Sequence, residues 1–169
     1  IQYATTGSVD VGSALAVGMV NPAKMAQRIG KLSKIASKSC CFVAGTQVLT
    51  ESGYKNIEDI KLGETLWAKN TATGEQDWKQ ITKIFNEPDR GIYEINLNGQ
   101  GGFEQKIEAT DDHPFYVIDK GWKTTIELTV GDKIETDRNA PMEVVSVIDE
   151  KRRALTYNFT VADFHTYYV

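Results

Sequence analysis

Cysteine and histidine are scarce in this chain of 169 residues, with two of each, and there are only four prolines. Two cysteines cannot supply the set of staples on which small secreted domains rely. These two, Cys40 and Cys41, are neighbours whose oxidation would close a strained ring, so a disulfide framework is excluded. Long apolar runs are missing too: the longest, residues 14–20, falls far short of the roughly 20 residues that cross a bilayer. No charged leader followed by a cleavage site opens the sequence, and there is thus no targeting signal in it. Nor is there an excess of positive charge. Lys and Arg number 19 against 23 Asp and Glu, a net charge of −4, which gives no electrostatic reason to bind nucleic acid. What is present, 41% apolar and 25% charged residues, is ordinary globular usage, and the length suffices for one core without staples.

The charge is unevenly spread. Through Cys40 the five cations Lys24, Arg28, Lys31, Lys34 and Lys38 stand against the single acid Asp10, while the remainder carries 14 basic against 22 acidic residues. Residues 10–38 read as helical, with Asn21 as N-cap, Pro22 at the first helical position, and Met25, Ile29, Leu32 and Ala36 on one face. The cations beside that face form either a solvated flank or a patch for a membrane surface or a partner. The chain begins with Ile rather than Met, which we read as an excised piece of a longer polypeptide.

After Cys41 the pattern changes to short β-rich runs at residues 47–50, 65–68, 80–85, 92–97, 103–109, 115–118, 143–148 and 155–161. Pro88, Pro114 and Pro141, with Gly74, Gly91, Gly99, Gly101 and Gly102, punctuate these runs where turns are expected. Within this all-β part lies an internal repeat. The 14 residues from Gly53 (GYKNIEDIKLGETL) align without gaps on those from Gly121 (GWKTTIELTVGDKI). IYEINL from Ile92 aligns on TYNFTV from Thr156, and TDDHPFYV from Thr110 on ADFHTYYV from Ala162. Three blocks in one order imply a single β domain built from two pseudo-symmetric halves. Gly63 and Gly131, equivalent in the repeat, read as turns needing an unusual φ.

The repeat also places both histidines of the chain, His113 and His165, at equivalent positions. Imidazole titrates near neutrality and cysteine is the strongest neutral-pH nucleophile, so one cysteine with two histidines suggests acyl transfer. Two core histidines flanked by aromatics are the structural alternative. Adjacent cysteines lack the spacing that brings two thiolates to one tetrahedral ion, so no metal is expected. Asp111, Asp112 and Asp163 read as loop or turn residues, and Trp67, Trp78 and Trp122 as core or rim aromatics.

Cys41-Phe42-Val43-Ala44-Gly45-Thr46, the repeated I-E-D-I-K-L-G-E-T-L element, Thr110-Asp111-Asp112-His113-Pro114 and the closing Tyr157-Asn158-Phe159 through His165-Thr166-Tyr167 together resemble the Hint superfamily. That superfamily holds inteins, Hedgehog autoprocessing domains and bacterial intein-like domains. The basic lead-in is similar to the pretoxin variety that precedes the C-terminal toxin domain of bacterial polymorphic toxins. The resemblance implies a helical lead-in over 1–40 and a mainly β, pseudo-two-fold, horseshoe-shaped Hint domain over 41–169, its C-terminal end incomplete. It also implies self-cleavage without a cofactor. Cys41 would attack the carbonyl of Cys40 in an N-to-S acyl shift, exchanging the Cys40–Cys41 amide for a thioester. His113 would deliver the proton the leaving nitrogen needs, Thr110 would hydrogen-bond near the scissile peptide, and His165 would assist a later C-terminal step. Splicing inteins usually carry Asp where this chain has Asn158, and Asn can hydrogen-bond but cannot shuttle a proton. The His-Asn pair whose Asn cyclises to cut the following bond is not reached before Val169.

The expected function is therefore single-turnover self-processing of the chain's own flanking polypeptide, a cysteine-dependent endopeptidase activity. It would sit within a larger bacterial secreted or delivered toxin whose C-terminal toxin domain is released. The alternative is an inactive Hint scaffold whose basic residues 10–38 contact a membrane or partner during delivery.

Overall fold

The computed structural model describes residues 2–4 and 40–169. The helix expected over residues 10–38, its Asn21 cap and any membrane or partner contact made through it lie outside the described residues, as does most of the expected 1–40 unit. From Cys40 onward the chain is β with short 3-10 turns. Its strands are β1 (Gln2–Ala4), β2 (Phe42–Val43), β3 (Gln47–Thr50), β4 (Gly53–Asn56), β5 (Thr65–Lys69), β6 (Gln76–Asn98), β7 (Glu104–Thr110), β8 (Pro114–Val117), β9 (Gly121–Thr124), β10 (Lys133–Ile134), β11 (Met142–Val161) and β12 (Thr166–Tyr168). Neighbours run in the order β12-β1-β8-β10-β11-β2-β7-β6-β5-β3-β4, with β9 beside β8 and an additional pairing of β6 with β11.

That additional pairing corrects the reading of residues 80–97 and 143–161. The runs 80–85 and 92–97 are one strand, β6, and 143–148 and 155–161 are likewise one strand, β11. The two lie antiparallel from Glu143↔Asn98 to Val161↔Ile81, with register shifts between. Pro88 and Gly91 therefore do not end a strand. They fall at irregularities of the ladder, where Thr156 faces Glu87 but Ala154 already faces Arg90, and Asp89 adopts φ 56°. A proline interrupts a sheet unless a bulge removes the need for its missing N–H. The two long strands consequently run through both halves of the repeat, while Pro114 starts a strand and Gly74, Gly101 and Gly102 occupy turns as expected.

The repeat survives into hydrogen-bond detail. In the first copy Gly63 N–H donates to the Ile81 carbonyl and Ile81 N–H to that of Glu64; in the second, Gly131 donates to Val144 and Val144 to Asp132. Both glycines have positive φ, 88° and 90°, a region that an L side chain enters only with strain. Glu64 takes the Lys61 N–H and the Lys55 ammonium, and Asp132 takes the Thr129 N–H and the Lys123 ammonium. The buried positions match as well: Ile57, Ile60 and Leu66 in one copy, and Thr125, Leu128 and Ile134 in the other. All but Thr125 join Phe42, Ile81, Ile95, Leu97, Phe115, Phe159, Val161 and Tyr167 in one core. Trp67 stacks edge-on against its cross-strand partner Trp78, and Tyr116 against Trp122, at the rim rather than the centre.

The copies differ in burial. The Asp132 carboxylate is fully enclosed, and Lys120 at 2.6 Å reinforces Lys123 at 2.8 Å. Burial alone would push the Asp132 carboxyl up, but the two ammonium groups and the Thr129 N–H outweigh it and hold it well below the usual carboxylate range. Glu64 keeps 28% of its side chain in water. Asp132→Asn should therefore destabilise the fold by about 1–3 kcal/mol, because it strips two cations from a desolvated acceptor. Glu64→Gln should cost less than about 1 kcal/mol, as a screened pair does. Urea unfolding at pH 7 compares them; equal costs would mean that burial does not separate the two copies.

Candidate active site

Two residues decide where the chemistry sits. β2 is wedged between β7 and β11, Phe42 facing Ala109 on one side and Tyr157 on the other. Phe42 and Ala109 are fully buried, so the register is held by the core. Antiparallel pairing then sets Cys41 beside Thr110. Thr110 N–H donates to the Cys41 carbonyl at 3.0 Å, and Cys41 N–H donates to Thr110 Oγ1 at 3.0 Å. That N–H belongs to the peptide bond joining Cys40 to Cys41.

The Cys40 side of the same bond is met by His113. A tight turn, closed by His113 N–H on the Thr110 carbonyl at 3.2 Å, folds the imidazole back onto the Phe42 ring with centroids 4.0 Å apart. Phe115 flanks it at 5.3 Å. The ring is wholly buried, and burial lowers its pKa to about 3 against a favourable hydrogen bond with the Cys40 backbone. The Cys40 backbone works against that shift, favouring the protonated ring. His113 is thus a neutral imidazole buried beside the backbone of the residue whose carbonyl Cys41 would attack.

Both thiols are buried. Cys40 is pushed up to about 12 by burial and by the nearby Asp112, and Cys41 to about 11 by burial, against the opposing influence of a Thr156 hydrogen bond and the Arg90 charge. Asn158 lies on the Cys40 side. Its Oδ1 accepts from Phe159 N–H at 2.8 Å and from the Tyr167 hydroxyl at 2.7 Å, which turns Nδ2 toward Cys40 Sγ at 3.9 Å. His165 occupies the equivalent turn after β11 and is half-buried with φ 54°. Its neighbours tie that turn to the other half: Ala162 N–H bonds the Gln80 carbonyl, and Thr166 bonds the Lys69 backbone both as donor and acceptor. Cys40, Cys41, Thr110, His113 and Asn158 are therefore gathered at one place, with Tyr167 two residues beyond His165 reaching into it.

Three participants escaped the sequence reading. Asp112 is a partner of Thr110 rather than a solvated loop residue, accepting from its hydroxyl at 2.8 Å. Arg90, from the irregular stretch of β6, pairs with Asp112 at 3.1 Å. Tyr167 orients Asn158. The spacing Thr110-x-Asp112 is a short-range signal that a side-chain-linked turn can form, whereas nothing local marks Arg90. Among the described residues no three of His, Cys, Asp and Glu are grouped to hold a metal ion.

The buried neutral imidazole makes stability depend on pH. Unfolded, His113 titrates near 6.5; folded, near 3, so between these values the unfolded chain binds the extra proton and stability falls as pH falls. At pH 4.5 the loss should be on the order of 2 kcal/mol relative to pH 7. In His113→Gln that portion of the slope should vanish in urea titrations at the two pH values, and an unchanged slope would place the imidazole elsewhere.

Comparison with known proteins agrees with this arrangement. The family described as the pretoxin HINT domain matches residues 47–169, a stretch that begins just after Cys41. A bacterial intein-like domain from Clostridium thermocellum superposes with a TM-score of 0.62 at 34% identity, covering 73% of this chain and 88% of that one. A DnaB intein from Synechocystis superposes with a TM-score of 0.63 at 23% identity, covering 75% and 91%, a likeness of fold. Warthog protein 6 of Caenorhabditis elegans is 28% identical over 101 residues, 57% of this chain, and the chain spans only 16% of that protein's length. Self-processing of the flanking polypeptide is the general activity these relationships support. The chain belongs to the pretoxin HINT domain family and has the intein-like Hint fold.

Proposed function

We propose that this chain cleaves itself at the Cys40–Cys41 bond by an N-to-S acyl shift. The observation that carries the reading is the hold on one peptide, whose N–H donates to Thr110 Oγ1 while the neutral His113 imidazole is buried beside the Cys40 backbone. Amides resist attack because resonance stabilises them and nitrogen leaves poorly. Cys41 Sγ bonds to the Cys40 carbonyl carbon, electrons pass to the carbonyl oxygen, and the C–N bond breaks on collapse. The proton leaving Sγ ends on the Cys41 nitrogen, so a thioester and a free α-amine replace an amide and a thiol. His113 suits the transfer: as charge grows beside it, the ring becomes basic enough to carry that proton to nitrogen. Asn158 and Tyr167 brace Cys40, and in this reading Asn158 steers the acyl group without titrating.

His165 serves a second, C-terminal step in this proposal. Val169 shares a cleft of about 290 Å³ with Val43, Ala44, Gly45 and Thr46, so it lies close to the residues that follow Cys41. A longer chain in which Asn cyclisation beyond Val169 releases a C-terminal toxin domain fits this placement and the pretoxin family, with the chain's own flanking polypeptide as substrate and a bacterial secreted or delivered toxin as the parent protein.

Incubation with dithiothreitol should release residues 1–40 as a thioester adduct readable by intact mass, and Cys41→Ala should abolish the release. Because the Cys41 thiol is pushed up to about 11 and its proton passes to the nitrogen within the site, the rate, corrected for the reductant's own thiolate fraction, should change less than about threefold from pH 7 to 9. A climb of about tenfold per pH unit would mean that sulfur ionises to solvent before it attacks and that His113 does not carry the proton. An intact mass under all conditions would favour the inactive scaffold, with residues 10–38 as its binding element.

A further inference from the structure

The polar chain behind the scissile nitrogen extends one step further than acyl transfer by Cys41, Thr110 and His113 requires. Cys41 N–H donates to Thr110 Oγ1 at 3.0 Å, the Thr110 hydroxyl donates to Asp112 Oδ1 at 2.8 Å, and Arg90 donates to the same oxygen at 3.1 Å. A hydroxyl has one proton to give. With Asp112 taking it, the Thr110 oxygen has only lone pairs to offer the Cys41 N–H. The Asp112 side chain is 14% exposed, and its second oxygen, Oδ2, is buried and accepts no hydrogen bond from the described residues. Its charge is therefore compensated by Arg90 on one side and directed through Thr110 on the other. Asp111, on the same turn, meets Arg90 only at 3.5 Å and is nearly half exposed, so the geometry singles out Asp112.

We infer that Asp112, held by Arg90, is a positioning residue for the acyl shift, acting through the Thr110 hydroxyl to stabilise positive charge on the Cys41 nitrogen as it leaves. The inference rests on the self-cleavage proposed above. The physical ground is differential: a neutral amide N–H gains little from a polarised acceptor, whereas the nitrogen protonated in the tetrahedral intermediate, which carries positive charge until the C–N bond breaks, gains much more. In a site where both thiols and the imidazole rest neutral, Asp112 is the carboxylate that hydrogen bonds link to the leaving nitrogen. Its distance from the nitrogen, bridged by one hydroxyl, lets it stabilise the departing amine without taking the proton itself. Hydrogen bonds in series polarise one another, which strengthens the hydroxyl as an acceptor.

Two measurements test this. In chains that retain Cys41, Asp112→Asn should slow thiol-induced separation at Cys40–Cys41 by ~10- to 100-fold, Thr110→Val should slow it at least as much, and the double variant should match Thr110→Val within about twofold. Asp112→Glu, which keeps the charge, should recover part of the rate. In the uncleavable Cys41→Ala chain the residue-41 amide proton should resonate upfield when Asp112 becomes Asn, because its acceptor weakens; this reading needs no activity. Should Asp112→Asn fail to fold, Asp112→Ser carries the same comparisons. A full additive loss in the Thr110→Val background, or an unmoved amide proton in a folded variant, would overturn the role of Asp112. Absence of cleavage in the unaltered chain together with the expected amide shift would instead overturn the acyl shift at Cys41 and leave the polar chain standing.

Discussion

Everything at this site depends on a two-residue strand being pinned from both sides. β2 contributes only Phe42 and Val43, too short to hold itself, yet its neighbours β7 and β11 are both paired along their length with β6. Phe42 is buried to 0% exposure against His113, Tyr157 and Tyr167. A slip by one residue would turn this ring outward and present the wrong peptide to Thr110. The core thus specifies which peptide bond Thr110 holds, through the packing of a phenylalanine.

The same burial that secures the peptide quiets its reactants. Both cysteines are driven upward, to about 12 and about 11, and His113 is driven down to about 3, so each rests in its neutral form. A resting thiolate in so dry a place would be costly. In the proposed acyl shift such a site would hold no activated nucleophile at rest and would lower the cost of charge only where charge develops. The Cys40 backbone has the His113 imidazole beside it, and the Cys41 nitrogen has the Thr110–Asp112 chain behind it. Arg90 connects the two considerations, since its charge both holds Asp112 and opposes the upward shift of Cys41.

The sequence carried much of this because duplication leaves marks that single motifs do not. The gapless match of residues 53–66 with 121–134 corresponds to two turns with the same glycine conformation and the same lysine-to-carboxylate bond. Cys41, Thr110, His113 and Asn158 were legible because each stands in an ordered set of short motifs. The long strands were not. Pro88 and Gly91 are strong local breaks, and only the partner strand β11, more than 50 residues away, shows that the ladder resumes beyond them. Arg90 was illegible for the same reason, as its position follows from that irregular stretch. Asp112 was misjudged because an aspartate in a turn has an ordinary explanation, and a hydrogen bond to a hydroxyl two residues earlier leaves no trace in composition.

A two-fold fold must still build a one-sided site, for there is one peptide to hold at this junction, and the pairs across the repeat reveal how. The turn Thr110-Asp111-Asp112-His113 has Ala162-Asp163-Phe164-His165 as its counterpart. The hydroxyl becomes a methyl and the second carboxylate becomes a ring, while the first aspartate and the closing histidine are shared by both turns. Each turn nevertheless takes a cation from β6, Arg90 on the Asp112 carboxylate in one case and Lys79 over the Phe164 ring at 4.6 Å in the other. The long strand thus supports both turns in the same mechanical way, by an ion pair here and a cation–π contact there. On the long strands that precede these turns, Asn158 corresponds to Glu94, the former buried at Cys40 and the latter partly in water with Lys106. Symmetry supplies two equivalent backbones, and the side chains then assign them unequal tasks. Thr110 and Asp112 define the half that grips the nitrogen of the Cys40–Cys41 bond, and the opposite half is left free to differ.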